Sequence, residues 1–276
     1  MPELPEVESV RRSLEPLVLG RVIKRAEIRR RDFVVTGGAR PRGATPSEFL
    51  EGARVVTLER LGKQVAIVGD DGRSVCVQLG MSGYVDVASE SEPKHTHAVW
   101  TLDNGLRVLF VDPRRFGGLT CYPTFEALRA QHWGGLGPDG LELGAGRLIE
   151  ACRGTKRAIK AVLLDQSVVA GVGNIYADES LFASGIDPRT IARRVTPARL
   201  GRLANAVRAV LHKAVELKGS TLRDYRDAAG QPGGAQAAHA VYGRAGKACV
   251  RCGTVLRSGQ VAQRTTVWCP SCQTRG

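Results

Sequence analysis

Four cysteines near the C-terminal end constrain the fold of this 276-residue chain more than any other feature. They form two Cys-x-x-Cys pairs, Cys249 with Cys252 and Cys269 with Cys272, separated by sixteen residues. Two such pairs supply the four thiolates of a closed tetrahedral zinc site. Disulfides are the alternative, and they are rare in the cytosol. The spacing therefore predicts one structural Zn²⁺ on a hairpin, with no open position for a catalytic water.

Positive charge is concentrated in the second half of the chain. Residues 1–150 hold 20 Lys and Arg against 20 Asp and Glu, whereas residues 151–276 hold 20 against 7, which is the whole net charge of +13. A balanced half beside a strongly basic half is typical of a catalytic or scaffolding domain joined to one that binds a polyanion. No apolar run approaches the length of a membrane span and no secretory signal precedes the first helix. We therefore expect a cytoplasmic protein with no membrane partner.

The order of short patterns predicts an α+β protein with several domains. One helix and a series of short β-branched runs favour an antiparallel β-sandwich over residues 1–133. The glycine-rich stretch 134–146 is expected to be a hinge, followed by a helical domain over 147–240 and the cysteine hairpin over 241–276. Residues 29–45, rich in arginine and glycine, are expected to be an exposed loop. The predicted strands are 22–28, 54–60, 64–68, 74–79, 98–102 and 106–111, and the later helices are 158–164, 175–183 and 197–217.

The chain begins Met1-Pro2-Glu3-Leu4-Pro5-Glu6-Val7-Glu8, and Pro5 suits the first turn of a helix. Val7, Val10 and Leu14 then form one apolar stripe, until Pro16 and Gly20 are expected to end the helix. An ordinary capped helix would explain these residues, but it does not explain Pro2 and Glu3 ahead of it. Removal of Met1 would leave a secondary amine, and α-amino groups have a lower pKa than lysine. Such an amine attacks an aldehyde carbon to give an iminium ion, and a neighbouring carboxylate can move the proton.

Two loops combine a large apolar side chain with a tight turn. The first is Leu79-Gly80-Met81-Ser82-Gly83, and the second is Asp112-Pro113-Arg114-Arg115-Phe116-Gly117. Proteins that extrude a base push apolar side chains and arginine into the DNA stack. Met81 and Phe116 are each more typical of a core when taken singly, and only their combination indicates a wedge.

The basic half contains a predicted phosphate site. Val172-Gly173-Asn174 precedes a helix and would direct backbone N–H groups and an amide toward an anion. Lys156, Arg157 and Lys160 lie upstream, and Arg264 lies between the two cysteine pairs.

Lys63 and Arg264 are, taken singly, typical surface residues. His95 and His97 lack further ligands at matching spacing, so a phosphate contact or a surface role is expected rather than metal binding.

Six motifs in this order resemble the bacterial formamidopyrimidine-DNA glycosylases. They are MPELPEVE, LGMSG, DPRRFG, GVGNIYADESLF, VYGR and the tail CxxC…QRTT…CPxCQ, and they run from the first residue to the last. The resemblance implies that the 147–240 region is a helix–two-turn–helix DNA-binding domain and that the tail is a zinc finger. It implies a bifunctional DNA glycosylase and abasic-site lyase of base excision repair. The implied substrates are 8-oxoguanine and formamidopyrimidines, in damaged double-stranded DNA bound by a monomer without a nucleotide cofactor.

The resemblance also implies roles for individual residues. Pro2 would form a Schiff base with the sugar C1′, Glu3 would donate the proton that opens the sugar ring, and Glu6 would support the same site. Lys63 would donate a proton in β-elimination and contact phosphate, and Arg264 would serve δ-elimination. Met81, Arg114 and Phe116 would fill the space of the extruded base, with Arg114 toward the orphaned cytosine. Lys156 and Lys160 are expected to grip phosphate, and His95 and Asn174 match phosphate contacts.

Two stretches depart from the family pattern. Gly233-Gly234-Ala235 stands where many members have Gly-Tyr-Phe, in the loop that caps the extruded base, so lesion preference is affected. Thr155 lies where members have a lysine-rich run, which affects one DNA contact.

Three other functions are compatible with parts of the sequence. Endonuclease VIII uses the same proline on oxidised pyrimidines, but its members start MPEG and lack the methionine and arginine–phenylalanine wedge. A DNA-binding zinc protein without activity would not need Pro2, Glu3 and Lys63 together. An RNA-binding protein is compatible with the charge and the zinc ribbon but leaves the acidic N-terminal motif unexplained.

Overall fold

The computed structural model describes residues 2–88, 92–223 and 225–275. Met1, whose removal a free Pro2 amine requires, lies outside these residues. The chain divides into two compact units. One runs up to Gly135 and includes Lys218–Gly234, and the other comprises Leu136–Leu217 and the chain from Ala235 onward. The domain boundaries at residues 133, 146 and 240 stay a prediction.

The first unit consists of one long helix, α1 (Leu4–Val18), and two sheets. The sheets have the strand orders β1-β7-β8-β6 and β2-β9-β5-β4-β3. Buried residues of both sheets share one core with Val7, Val10 and Leu14 of α1, which confirms the predicted β-sandwich and its apolar helix stripe. The strands are β1 (Ile23–Ile28), β2 (Val34–Thr36), β3 (Val55–Leu61), β4 (Gln64–Gly69), β5 (Ser74–Gln78), β6 (Tyr84–Ala88), β7 (Thr96–Leu102), β8 (Arg107–Val111) and β9 (Gly118–Tyr122).

Three strands of this unit were not predicted: β2, β6 and β9. Strand β2 lies inside the predicted loop 29–45 and pairs in parallel with β9, so the larger sheet is not wholly antiparallel. A three-residue strand is too short to show an alternating pattern, and its partner is far away in the sequence. A short helix, α2 (Phe125–Leu128), follows β9 and continues as a single π turn over Arg129–Trp133.

Of the two residues expected to end the first helix, Gly20 lies just past its end with a φ of +75°, whereas Pro16 does not end it. α1 continues to Val18 with Pro16 inside its last turn. A proline at that position forfeits one backbone hydrogen bond, while Leu14 and Val18 on either side of it are buried in the core. Burial of the apolar stripe therefore outweighs the tendency of a proline to end a helix.

The second unit contains four helices and the C-terminal hairpin. The elements are α3 (Ala145–Cys152), α4 (Ile159–Leu164), α5 (Asn174–Ala183), α6 (Pro197–Glu216), β10 (Arg257–Val261) and β11 (Arg264–Trp268). Helix α6 packs on α3 and α5, and α5 packs on β11. Thr196 caps α6 by accepting a hydrogen bond from the N–H of Arg199. In the part of the chain that the structure describes, no helix is long and apolar enough to cross a membrane.

Candidate active site

Two glutamates fix the start of α1 by bonding to each other's backbone. Glu3 is the N-cap, and its carboxylate accepts the N–H of Glu6. The Glu6 carboxylate in turn accepts the N–H of Glu3 at 2.7 Å. Both glutamates are buried, whereas Pro2 directly ahead of them is only partly buried. This reciprocal capping box sets the direction in which the chain enters the helix, and so it sets where Pro2 lies relative to Glu3.

Two residues of the segment 218–234 are hydrogen-bonded to Glu6. The N–H of Ser220 donates to Glu6 Oε1 at 2.6 Å, and the Tyr225 hydroxyl donates to the Glu6 carbonyl at 2.9 Å. Burial raises the pKa of the Tyr225 phenol above its usual range, so the hydroxyl is a donor at neutral pH. Glu6 therefore joins the N-terminal residues to a segment more than two hundred positions away, which the sequence did not indicate.

Close backbone approach explains two glycines of this segment. Gly219 has a φ of +76°, a conformation that favours glycine, and a Cβ there would lie 2.7 Å from Glu6 Oε1. A Cβ at Gly233 would lie 2.2 Å from the carbonyl oxygen of Gly219. Gly233 is thus required by packing.

Lys63 lies in the turn between β3 and β4, the two strands on which α1 packs. Arg60 connects this turn to the helix, because it donates to the Gly62 carbonyl at 3.2 Å and to Glu8 Oε2 at 2.8 Å. Burial alone would raise the pKa of Glu8, but hydrogen bonds from Arg11, Arg12 and Arg60 outweigh it and lower the pKa to about 2. Glu8 and Arg60 were not predicted as part of the site, since nothing in their spacing indicates the contact.

The two predicted wedge side chains are exposed. Met81 is 41% and Phe116 57% accessible, so neither is a core residue. The Arg114 guanidinium lies over the Phe116 ring, 5.0 Å from its centroid. An exposed methionine and an exposed aromatic ring with a stacked arginine are suited to insertion between bases. We refer to residues 79–83 and 112–117 as the wedge loops.

The two histidines differ in burial. His95 is exposed and adopts a φ of +71°, and its carbonyl accepts the N–H of Asp112 at 3.1 Å. His97 is buried, with its ring 4.3 Å from that of Phe33 and its Nε2 bonded to the Asp112 carbonyl. Of the two histidines, only His95 can contact a phosphate, since His97 is a core residue.

The hairpin tip of the second unit is tied to the start of α5. Arg264 is exposed and follows a two-residue turn, Ala262-Gln263, in which both residues have positive φ. The carbonyl of Thr265 accepts a hydrogen bond from Nδ2 of Asn174, the first residue of α5, at 2.9 Å. The predicted phosphate ligand Asn174 and the predicted elimination residue Arg264 are therefore brought together within this unit.

Lys160 was predicted to contact phosphate, and the burial of its side chain corrects that prediction. Lys160 is 0% exposed, and its ammonium lies 2.7 Å from Asp178 and 2.7 Å from the hydroxyl of Thr266. Asp178 also accepts the N–H of Val267. A buried, paired ammonium cannot reach DNA, so Lys160 joins α4 and α5 to the hairpin. Lys156 is exposed on the loop before α4 and stays available for the predicted contact.

The four cysteines meet at the base of the hairpin. Their sulfur atoms all lie within 4.8 Å of one another, with 4.0 Å between Cys249 and Cys272 and 3.5 Å between Cys252 and Cys269. Sulfurs at about 2.3 Å from a tetrahedral Zn²⁺ would be about 3.8 Å apart. The donor set fits one structural zinc ion, as predicted.

Comparison with known proteins identifies the three regions separately. The formamidopyrimidine-DNA glycosylase N-terminal domain matches residues 1–119, the H2TH domain of the same glycosylase matches 136–226, and the zinc finger found in FPG and IleRS matches 246–275. The fold and the site thus define a DNA glycosylase with a helix–two-turn–helix domain and a zinc finger.

Similarity to individual proteins extends over the full length. The formamidopyrimidine-DNA glycosylase of Laribacter hongkongensis is 42% identical over 99% of this chain and 100% of its own, and that of Bordetella pertussis is 44% identical over 100% of both. The crystal structure of MutM (Fpg) from Thermus thermophilus superposes with a TM-score of 0.87 at 39% identity over 100% of both chains. Lactococcus lactis Fpg in complex with DNA containing an abasic site superposes with a TM-score of 0.88 at 31% identity over 99% of both.

The chain belongs to the formamidopyrimidine-DNA glycosylase family. The resemblance inferred from the six motifs is confirmed, and so is the fold class of β-sandwich, helix–two-turn–helix domain and zinc finger.

Proposed function

We propose that Pro2 is the nucleophile with which this oxidised-purine DNA glycosylase both removes the base and cleaves the strand. The observation that carries the proposal is the capping box at the start of α1, where Glu3 and Glu6 are buried beside a partly exposed Pro2. A nucleophile needs a fixed approach and a neighbouring acid, and this arrangement supplies both. The amine is free only when Met1 has been removed.

The first step forms the bond between the Pro2 nitrogen and the sugar C1′, and the bond from C1′ to the damaged base breaks. The base departs with that electron pair and takes up the proton that the Pro2 nitrogen releases. Glu3 donates a proton to the ring oxygen as the sugar opens, which leaves an iminium ion between Pro2 and C1′. Glu6 keeps Glu3 in position through the 2.7 Å bond to its N–H. The iminium withdraws electrons from C1′, so base removal and strand cleavage proceed from one covalent intermediate.

The second step is β-elimination. Water takes the 2′ proton, the electrons of that bond form the double bond between C2′ and C3′, and the 3′ phosphate departs with the electron pair of its bond to C3′. Lys63 supplies the proton in this step and contacts phosphate, from a turn that Arg60 joins to α1. Arg264, exposed at the hairpin tip, serves the δ-elimination that releases the 5′ phosphate.

Damaged double-stranded DNA is recognised by side chains of both units. Met81 and Phe116 enter the space left by the extruded nucleotide, and Arg114 presents its donors to the orphaned cytosine. His95, Lys156 and Asn174 contact phosphates, which position the duplex without reading its sequence. The protein acts as a monomer in the cytoplasm and needs no nucleotide cofactor. The four cysteines hold one Zn²⁺, which supplies folding free energy to the hairpin rather than chemistry.

Borohydride trapping on abasic DNA tests the nucleophile. The wild-type chain, shown by mass spectrometry to lack Met1, should give a covalent adduct, and Pro2→Gly should trap at least tenfold less. Pro5→Ala is the matched control, since Pro5 lies in the same turn but has no free amine. Equal trapping by wild-type chain that retains Met1, in which the Pro2 nitrogen is an amide, would eliminate Pro2 as the nucleophile.

A panel of duplexes tests the substrate class. Excision of 8-oxoguanine opposite cytosine should exceed excision of thymine glycol. The reverse preference would favour the endonuclease VIII alternative.

A further inference from the structure

Asp112, the first residue of the second wedge loop, carries a fully buried carboxylate. The residue is 0% exposed and directly follows the last residue of β8. Its Oδ1 accepts the Ser82 hydroxyl at 2.6 Å and the N–H of Arg114 at 3.2 Å, and its Oδ2 accepts the N–H of Gly117 at 2.8 Å. A buried carboxylate is costly unless it is fully hydrogen-bonded, and here the donors come from both wedge loops.

The bond from Ser82 to Asp112 crosses between the loops. Ser82 is the immediate neighbour of Met81, while Arg114 and Gly117 lie on either side of Phe116. The loops also touch through their backbones, because a Cβ at Gly80 would lie 2.4 Å from the carbonyl carbon of Phe116. The Ser82 hydroxyl also accepts the N–H of Arg114 at 3.2 Å, so Ser82 and Asp112 together join the loops that carry the two exposed apolar side chains.

Burial in the core does not fix Met81 and Phe116, since they are 41% and 57% exposed. Their positions depend on the backbone of the loops that carry them. Side chains that must enter a base stack need a defined separation before they meet the DNA, because ordering them on binding would reduce affinity.

We propose that Asp112 is a positioning residue for base extrusion: its carboxylate joins the wedge loops and holds Met81, Arg114 and Phe116 in the arrangement that enters the DNA stack. The inference rests on the proposed function, since it concerns how the same enzyme reaches its substrate. Asp112 does not touch DNA itself and acts through its bonds to Ser82, Arg114 and Gly117.

Two variants test the proposal. Asp112→Asn keeps the size of the side chain but removes its charge and turns an NH₂ group toward donors. Ser82→Ala removes both bonds of the Ser82 hydroxyl between the loops, the one that it donates to Asp112 and the one that it accepts from the N–H of Arg114, and it serves as the test if Asp112→Asn folds poorly. Asp86→Asn, on the neighbouring strand β6, is the matched control, and Met81→Ala/Phe116→Ala is the reference for a lost wedge.

Two readouts separate positioning from general loss of structure. The first is single-turnover excision of 8-oxoguanine from a duplex, with 2-aminopurine beside the lesion to report opening of the stack. The second is borohydride trapping on a single-stranded abasic oligonucleotide, in which no base has to be extruded. Asp112→Asn should slow excision at least tenfold and reduce the 2-aminopurine signal, as the wedge-less reference does, while single-strand trapping stays within twofold of wild type. Ser82→Ala should show the same selective loss to a smaller degree, because it leaves the bonds of Asp112 to the N–H groups of Arg114 and Gly117 in place.

Three results would overturn the proposal. Wild-type excision and 2-aminopurine signals in both single variants would show that the carboxylate does not position the wedge. An equal loss of excision and single-strand trapping would show a general structural role instead. If the wild-type chain itself fails to trap on abasic duplex DNA, the proposed function fails, and that result is distinct from a selective failure of the variants.

Discussion

Replacing Glu8 by glutamine removes the charge that joins α1 to the Lys63 turn. The Glu8 carboxylate accepts hydrogen bonds from Arg11, Arg12 and Arg60, and Arg60 also donates to the Gly62 carbonyl. Burial opposes the charge, but the three guanidinium groups lower the pKa of Glu8 from its ordinary 4.5 to about 2. This difference corresponds to about 3 kcal/mol of folding free energy at neutral pH. We expect Glu8→Gln to lose most of it.

The pH dependence has a definite sign. Because the folded-state pKa lies below the unfolded value, the contribution is complete above the unfolded pKa of 4.5 and is lost as the pH falls toward 2. The free energies of unfolding of wild type and Glu8→Gln should therefore differ by about 3 kcal/mol at neutral pH and by only about 1 kcal/mol near pH 3. Urea titrations followed by circular dichroism at several pH values would measure both differences. Glu59→Gln, an exposed glutamate next to Arg60, is the control and should change stability by less than about 0.5 kcal/mol.

The same variant should affect catalysis at one step. Loss of the Glu8–Arg60 bond releases the Lys63 turn from α1, so β-elimination on a preformed abasic site should slow more than Schiff-base trapping. A pH-independent stability difference between wild type and Glu8→Gln would refute the role assigned to the ion cluster. Unchanged elimination by a folded Glu8→Gln chain would refute the connection to Lys63.

Three further predictions concern other parts of the molecule. Glu6→Gln weakens the charge-assisted bonds to the N–H groups of Glu3 and Ser220, which are worth about 1.5–3 kcal/mol each. Borohydride trapping should therefore fall about 10- to 100-fold in Glu6→Gln, while the control Glu15→Gln should trap normally. Cys249→Ser should abolish stoichiometric zinc binding, measured by mass spectrometry of the metal, and should also abolish DNA affinity. The control Cys152→Ser should keep the metal. Retained zinc in Cys249→Ser would contradict the assigned ligand set. Lys160→Met should destabilise the second unit by about 3–5 kcal/mol in urea titrations, because it leaves the buried Asp178 carboxylate without its cation. The double variant Lys160→Met/Asp178→Leu should recover most of that loss. No recovery would argue against the buried pair.

Much of the fold was predictable because its signals are local. The strands β1, β3, β4, β5, β7 and β8 and the helices α4 to α6 were placed within two residues at most ends, since alternation and apolar spacing act over a few positions. The strand β2 was missed because it is three residues long and its parallel partner β9 lies far away in the sequence. Pro16 inside α1 was misjudged because burial on either side of it is not visible in the local pattern.

The candidate site divides in the same way. The order of residues by itself determined the zinc ligands, the proline ahead of a capped helix and the two loops with a large apolar residue, because in each case the chemistry lies within a few neighbouring positions. Only the tertiary structure decided that Met81 and Phe116 are exposed and that Lys160 is buried against Asp178. The bonds from Ser220 to Glu6, from Arg60 to Glu8 and from Ser82 to Asp112 likewise join distant segments. An apolar side chain tends to be buried and a charged one exposed, but which individual residues depart from that tendency depends on contacts between distant segments that sequence spacing does not record.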